Sequence, residues 1–125
     1  MSTSLVLQLW QSSTAAPQLA ATPFMLAASA AAMEWPVEIH ALGASVELFV
    51  QENAARHHTV SPLNRPLSAY IEDAIRSGAR VHLCSTALRD RGLAPEDMLE
   101  GCQSVIGMVT MLERVAQADT TVLTY

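Results

Sequence analysis

The sequence predicts an α/β fold of three layers, in which a mostly parallel five-stranded sheet lies between helices. Short apolar runs alternate along the chain with segments of helical periodicity, the order typical of strands connected by crossover helices. This arrangement indicates a sheet that is covered on both faces. Half of the 125 residues are apolar and only 15% are charged, so a single domain spanning 1–125 can bury a sizeable core.

Five apolar segments are predicted to be the strands of this sheet. They are Ser4 to Trp10, Val37 to Leu42, Arg80 to Cys84, Gln103 to Ile106 and Thr120 to Tyr125. A strand of four to seven residues bounded by polar or turn-forming residues is typical of a parallel sheet.

The helices of the first half are predicted from start signals and composition. Thr22 and Pro23 indicate a helix start, with threonine as N-cap and proline at the first helical position, and the alanine-rich run that follows extends to about Met33. Because alanine side chains are small, this helix can lie close against the sheet. A short helix is predicted from about Ser45 to Asn53, and the polar, proline-bearing segment 56–65 is predicted to be the longest loop.

Two amphipathic helices are predicted in the second half. The first opens at Pro66 and stops at Gly78, because apolar residues recur there at i, i+3, i+4, i+7 and i+8: Leu67, Tyr70, Ile71, Ala74 and Ile75. The second runs from Met108 to about Ala118. Its helically spaced apolar residues are expected in the core or at a subunit interface: Met108, Met111, Leu112 and Val115.

Charge and composition exclude several classes of function. The net charge of −5, with no lysine and seven scattered arginines, lacks the basic stripe that attracts nucleic acid. The first 33 residues carry no charge, yet polar residues interrupt them and no basic region precedes them, so we expect neither a signal peptide nor membrane insertion. Two cysteines are too few for a disulfide scaffold, and a reducing, cytoplasmic location is the simpler interpretation.

Cys84 is the most informative candidate for chemistry. It ends an apolar strand where Ser85 begins a predicted helix, and a helix N-terminus stabilises a thiolate. In an open parallel sheet, ligands bind at the carboxyl ends of the strands, so we expect this strand end to expose the sulfur there. The alternative is an inert structural cysteine, because free cysteine often packs as a small apolar side chain.

Cys102 is predicted to lie far from Cys84, because it precedes a strand whereas Cys84 ends one. The two are then separated by a strand length of roughly 13 to 17 Å, whereas a disulfide needs Cα atoms within about 7 Å. Gly107 follows its strand at the same edge as Cys84, where a glycine lets backbone approach a ligand or a partner closely.

Several segments resemble the DsrE/DsrF/TusD (DsrEFH-like) family of small sulfur-relay proteins. The central match is an apolar strand, a cysteine, small residues and Arg-Gly: Val81-His82-Leu83-Cys84-Ser85-Thr86-Ala87-Leu88-Arg89-Asp90-Arg91-Gly92-Leu93. Residues 21–28 and 37–40 resemble the first helix and second strand of the family, and residues 96–101 and 105–108 resemble its C-terminal segment. The resemblance covers nearly the whole chain, although 53–66 carries no family pattern.

The resemblance implies a DsrEFH-like fold and a sulfur carrier or sulfurtransferase in which Cys84 accepts persulfide sulfur and passes it on. It implies sulfur-donor and sulfur-acceptor proteins as partners, a homotrimer or homohexamer, and no metal or organic cofactor. The residues expected to line the site besides Cys84 are His82, Ser85, Thr86, Arg89 and Gly107. Some family subunits lack the active cysteine, so a non-catalytic ligand-binding or interaction subunit with an inert Cys84 is the alternative function.

Overall fold

The computed structural model describes residues 3–125, so Met1 and Ser2 of the predicted domain lie outside the described residues. The strands are β1 (Ser4–Leu9), β2 (Val37–Ala41), β3 (Thr59–Val60), β4 (Arg65–Pro66), β5 (Arg80–Cys84), β6 (Ser104–Ile106) and β7 (Thr120–Thr124). The helices are α1 (Ala21–Ala32), α2 (Leu67–Arg76), α3 (Ser85–Asp90) and α4 (Met108–Val115). The five strands predicted from sequence are all present, and their ends fall within one residue of the predicted ones.

These five strands form one parallel sheet in the order β6-β5-β2-β1-β7, and they are flanked by helices on both faces. Right-handed crossovers place α1 and α2 together on one face, where the two helices pack against each other. The connection from β6 to β7 runs the opposite way across the sheet, so α4 lies on the other face, where Arg114 contacts Glu38. The predicted three-layer α/β fold is confirmed.

The main core lies between the sheet and the α1–α2 layer. Alternate residues of the central strands point into it and are fully buried, among them Leu7, Ile39 and Leu83. Phe24 of α1 meets Phe49 edge-to-face there, with ring centroids 5.9 Å apart. The strand order places β5 between β2 and β6 and so fixes the position of Cys84.

The start of α1 differs from the sequence prediction. The helix begins at Ala21 with Ala20 as N-cap, so Thr22 is not the cap and Pro23 occupies the third helical position. A 3-10 turn over Pro17–Leu19 leads directly into it and replaces the side-chain cap with backbone hydrogen bonds. Proline is tolerated anywhere in the first turn, because those N–H groups have no intrahelical acceptor.

Two further segments also differ from the prediction. The short helix expected over Ser45–Asn53 is instead a 3-10 helix over Gly43–Phe49, because the chain turns extended at Val50 to form a β-bridge with Met98. The predicted loop 56–65 contains the end of a 3-10 turn over Ala54–His57 and most of the antiparallel β3–β4 hairpin. Hydrogen bonds that link the Tyr70 hydroxyl to hairpin backbone hold this hairpin on α2.

Helices α2 and α4 form where the sequence pattern predicts them, although Met108 and Leu112 of α4 are exposed in the single chain. The apolar residues of α2 at helical spacing are buried except Ile75, which is half-buried. The chain leaves the helix through Gly78, whose φ of +117° suits glycine. The last helix ends at Val115, three residues before the predicted end. Within residues 3–125, no helix combines the length and apolar composition that crossing a membrane requires.

Candidate functional site

Cys84 lies at the predicted boundary between strand and helix. It is the last residue of β5 and the N-cap of α3, with extended backbone dihedrals of φ −69° and ψ 122°. Since β5 pairs with β2 on one side and β6 on the other, this strand end belongs to the carboxyl edge of the parallel sheet. Ligands of open parallel sheets bind at this edge.

The thiol of Cys84 is buried, which corrects the expectation that the strand end exposes it. The residue is 1% exposed and belongs to the hydrophobic core cluster. Cys84 makes no side-chain capping hydrogen bond to α3, which is only six residues long. The burial follows from the position of β5, which is an interior strand of the sheet and not one of its two outermost strands. Ile106 of β6 lies in register beside Cys84.

The other residues expected to line the site lie around this strand end with different exposures. Ser85 is half-buried, whereas Thr86 and Arg89 of α3 are exposed. Gly107 follows Ile106 and therefore lies at the same edge as Cys84. Among the described residues, no atom lies within 4 Å of the place where a Cβ on Gly107 would stand, so no close backbone approach requires a glycine there in the single chain.

Cys102 lies toward the opposite end of the sheet and has a different environment. It stands two residues before β6 begins, whereas Cys84 is in register with Ile106, the last residue of β6. Both thiols are free. Cys102 is 0% exposed, and burial raises its pKa to about 11, although the nearby Arg56 opposes this rise. Such a thiol is protonated and inert at neutral pH.

His82 belongs to a polar network on the sheet face that α4 crosses. Its Nδ1 shares a 2.8 Å hydrogen bond with the Ser104 hydroxyl of β6, and its Nε2 lies 3.3 Å from Oε1 of Glu38 on β2. The same Glu38 oxygen accepts a 2.9 Å hydrogen bond from Nε2 of the fully buried His40. The second oxygen of Glu38 accepts a 2.8 Å hydrogen bond from Arg114 of α4.

The electrostatics of this network favour a charged Glu38 and a neutral His82. Burial by itself would raise the pKa of Glu38, but the hydrogen bond from His40 and the charge of Arg114 outweigh it, so its pKa lies below the usual value. Burial lowers the pKa of His82, with the Glu38 carboxylate opposing this effect. At neutral pH the network therefore contains one carboxylate–guanidinium pair and a neutral imidazole at His82.

Sequence reasoning identified His82 but missed Glu38, His40, Ser104 and Arg114. A signal was present in β2, where Glu38 and His40 alternate with apolar residues and so mark one face of the strand as polar. Nothing local connects that face with Arg114, which is 76 residues further along the chain. The pairing follows from the strand order, which brings α4 back across the sheet.

The adjacent histidines of the sequence are separate from this network. His57 hydrogen-bonds the Ser68 hydroxyl through Nδ1 at 2.9 Å, and His58 is exposed. Over residues 3–125, no group of three histidine, cysteine, aspartate or glutamate side chains is arranged to hold a metal ion.

Comparison with solved structures identifies the fold. The ychN protein from E. coli superposes with a TM-score of 0.76 at 15% identity, and the match covers all of both chains. Two proteins described as of unknown function are also similar. MTH1491 from Methanobacterium thermoautotrophicum has a TM-score of 0.67 at 16% identity, with 98% of this chain and 99% of that chain covered. BT1422 from Bacteroides thetaiotaomicron has a TM-score of 0.66 at 17% identity, with 97% and 94% covered.

Comparison with family models identifies the family. No curated protein matches the sequence. The model of the DsrE/DsrF-like family, which is generally linked to sulfur relay, matches residues 6–124. That match covers the five strands of the main sheet apart from Ser4 and Leu5, the first two residues of β1, and it includes both cysteines. The chain therefore belongs to the DsrE/DsrF-like family.

Proposed function

We propose that this protein is a sulfur carrier of the sulfurtransferase type, in which Cys84 accepts persulfide sulfur and passes it on. The observation that carries the proposal is the position of Cys84 at the carboxyl end of β5, in a member of a family generally linked to sulfur relay. That edge is where parallel sheets bind their ligands. Cys102, buried at the other end with a raised pKa, is not suited to the role.

The proposed chemistry needs one cysteine and no metal or organic cofactor. The Cys84 thiolate attacks the outer sulfur of a donor persulfide, so that a new S–S bond forms and the old one breaks. The donor leaves as a thiolate, which takes up a proton, and Cys84 carries the persulfide. The thiolate of an acceptor then attacks the outer sulfur, and Cys84 leaves as a thiolate. Each transfer exchanges one S–S bond for another, so no external oxidant or reductant is required.

The surroundings of Cys84 suit protein partners. Ser85 and Thr86 begin α3 beside the cysteine, Arg89 offers an exposed positive charge, and Gly107 lies at the same edge of the sheet. We propose that these residues, together with His82 on the strand, line the surface that sulfur-donor and sulfur-acceptor proteins approach. Neither nucleic acid nor membrane insertion enters this proposal.

The proposal includes assembly into a homotrimer or a homohexamer of the single 1–125 domain in the cytoplasm. The support is an apolar surface on α4, where Met108 is 51%, Val109 72% and Leu112 62% exposed. Surfaces of this kind mark association sites on small soluble chains. The unpaired edge of β7 lies beside α4 and also carries the exposed Val122.

The test is sulfur loading followed by peptide mass spectrometry. The purified protein is mixed with cysteine persulfide, and we expect one sulfur atom to be added to the peptide that contains Cys84. Cys84→Ala is expected to abolish the addition, whereas the matched control Cys102→Ala is expected to retain it. No added sulfur in the wild-type protein, or equal addition in Cys84→Ala, would contradict the carrier function.

The second candidate function is a non-catalytic ligand-binding or interaction subunit with an inert Cys84. The observation in its favour is that the thiol is buried and makes no side-chain capping hydrogen bond to α3. An inert Cys84 would stay unmodified in the sulfur-loading experiment, while the protein would still assemble. The same experiment therefore separates the two functions.

A further inference from the structure

A second group of reactive side chains lies on the sheet besides the two cysteines. His40 of β2, His82 of β5 and Ser104 of β6 lie in register with one another across three neighbouring strands. Residues in register on parallel strands point to the same face of the sheet, and Glu38 shares that face because it stands two residues before His40. The strand order therefore places a hydroxyl, two imidazoles and a carboxylate side by side.

The contacts among these side chains connect the hydroxyl to the carboxylate. Oγ of Ser104 lies 2.8 Å from Nδ1 of His82, and Nε2 of His82 lies 3.3 Å from Oε1 of Glu38. His40 and Arg114 hold the carboxylate of Glu38, at 2.9 Å from Oε1 and 2.8 Å from Oε2. Enzymes of unrelated folds use a serine nucleophile, a histidine base and a carboxylate that orients the base. Ser104, His82 and Glu38 form a triad of these three groups.

The charge of Glu38 decides which nitrogen of His82 carries the proton. The pKa of Glu38 lies below its usual value, so at neutral pH this carboxylate is ionised and only accepts hydrogen bonds. The proton of the imidazole is therefore favoured on Nε2, which faces Glu38, and Nδ1 accepts the hydrogen bond of the Ser104 hydroxyl. Burial lowers the pKa of His82, so its imidazole is neutral at pH 7 and able to take up a proton.

Nε2 of His82 is buried without an aligned hydrogen-bond partner among the described residues. Buried polar atoms are normally hydrogen-bonded, so such an exception calls for an explanation. A proton taken from Ser104 would make the imidazole cationic, and the carboxylate of Glu38 at 3.3 Å would then stabilise the new charge in a buried position. The contact is thus stronger in a charged transition state than at rest, which is the property that accelerates a reaction.

The hydroxyl end of the triad is open to solvent. Ser104 is exposed, whereas His82 is 8% exposed. Helix α4 starts beyond the carboxyl end of β6 and ends before the amino end of β7, so its path leads away from Ser104, the first residue of β6. Because β6 is an outermost strand, alternate N–H groups along it have no neighbouring strand to bond and can donate to a developing oxyanion.

A second serine–histidine pair within residues 3–125 lacks these features. Nδ1 of His57 lies 2.9 Å from the Ser68 hydroxyl, but Ser68 is 6% exposed. None of the described ion pairs includes His57, so no carboxylate orients that imidazole. An exposed hydroxyl and an oriented base occur together at Ser104.

We propose that Ser104 is a nucleophile for acyl transfer from carboxylic esters, with His82 as its base and Glu38 as the residue that positions the base. Oγ of Ser104 attacks the carbonyl carbon of the ester while its proton passes to Nδ1 of His82. The bond from that carbon to the leaving oxygen breaks, the alcohol leaves with the proton, and Ser104 carries the acyl group. Water then attacks the acyl carbon and gives a proton to His82, and the acid leaves as Ser104 regains that proton. This activity goes beyond the sulfur transfer proposed for Cys84 and does not depend on it.

A fluorophosphonate probe tests the nucleophile, because it phosphonylates activated serines with loss of fluoride. The folded protein is treated with the probe, and labelling of each peptide is followed by mass spectrometry. We expect Ser104 to be labelled at least about a hundredfold faster than the exposed Ser77, for which the described residues include no histidine partner. Ser104→Ala is expected to lose this labelling, and the matched control Ser77→Ala is expected to keep it.

The variant His82→Asn tests the base. Its amide lies near the place of Nδ1, so it can keep a hydrogen bond to Ser104 but cannot take up a proton. Labelling of Ser104 is expected to fall about a hundredfold or more. Circular dichroism establishes that the variant is folded.

The pH dependence of labelling tests the part played by Glu38. In the wild type the rate is expected to rise with pH as His82 loses its proton, and then to level off. Glu38→Gln removes a charge that raises the pKa of His82, so the rise is expected to move to lower pH. The other groups that act on this imidazole are Arg114, His40 and Arg80, which lower its pKa and are unchanged in the variant.

The nucleophile is refuted if Ser104 of the folded wild-type protein stays unlabelled or reacts no faster than Ser77. Wild-type labelling in folded His82→Asn would reject His82 as the base, and an unchanged pH profile in Glu38→Gln would reject the role of Glu38. Esters are tested directly with p-nitrophenyl acetate. Ser104→Ala is expected to release nitrophenol more slowly than Ser77→Ala, and equal release would reject esters as the substrate class.

Discussion

Alkylation of the native protein is expected to modify Cys84 much faster than Cys102. Burial raises the pKa of Cys102 from an ordinary value of 9.0 to about 11, so its thiolate at neutral pH is about a hundredfold scarcer than that of an ordinary thiol. Cys102 is also fully buried in the core, so a reagent reaches it only when the protein unfolds. Cys84 lies at the end of β5, next to the six-residue helix α3, where local opening is sufficient to admit the reagent.

The assay follows iodoacetamide modification from pH 6.5 to 9.5 in wild type, Cys84→Ala and Cys102→Ala. Cys102 in Cys84→Ala is expected to react at least about a hundredfold more slowly than a free cysteine peptide at the same pH. Alanine is preferred to serine at position 102, because position 102 is fully buried and a buried hydroxyl without a hydrogen-bond partner destabilises the fold. Equal rates for the two cysteines, or a Cys102 rate near that of the peptide, would refute the reasoning.

Three further outcomes are expected. Stability against urea should fall as pH decreases from 7 to below 4. The folded-state pKa of His82 lies below its ordinary 6.5 and that of Glu38 lies below 4.5, so the unfolded chain binds more protons than the folded chain in both pH ranges. Constant stability over this range would contradict the reasoning. Met111→Ala should cost about 2 to 4 kcal/mol in unfolding free energy, since it empties the one buried position of α4, whereas the exposed control Met108→Ala should cost under about 1 kcal/mol. Leu112→Glu should dissociate the proposed oligomer in sedimentation while the helical circular dichroism is kept, and a stable wild-type monomer at micromolar concentration would remove the oligomer altogether.

Local sequence patterns were enough to predict the strands and the place of Cys84. The apolar run 80–84 followed by Ser85 marks a strand that ends in a helix, and the observed β5 and α3 meet at that residue. This succeeded because strand and helix periodicities are properties of neighbouring residues. The predicted start of α1 was wrong, because the preceding 3-10 turn supplies backbone hydrogen bonds that a rule for side-chain capping does not consider.

The sequence alone determined the fold class, the family resemblance and the residue at the end of β5, because each depends on short-range order. The tertiary structure decided whether that residue is reachable. Cys84 is buried inside the sheet with β6 paired beside it, a contact that depends on strand order. The return of α4 across the sheet brings Arg114 to Glu38, 76 residues away, and makes β2 the centre of a polar network. Burial and long-range pairing are properties of the assembled sheet, so no local pattern encodes them.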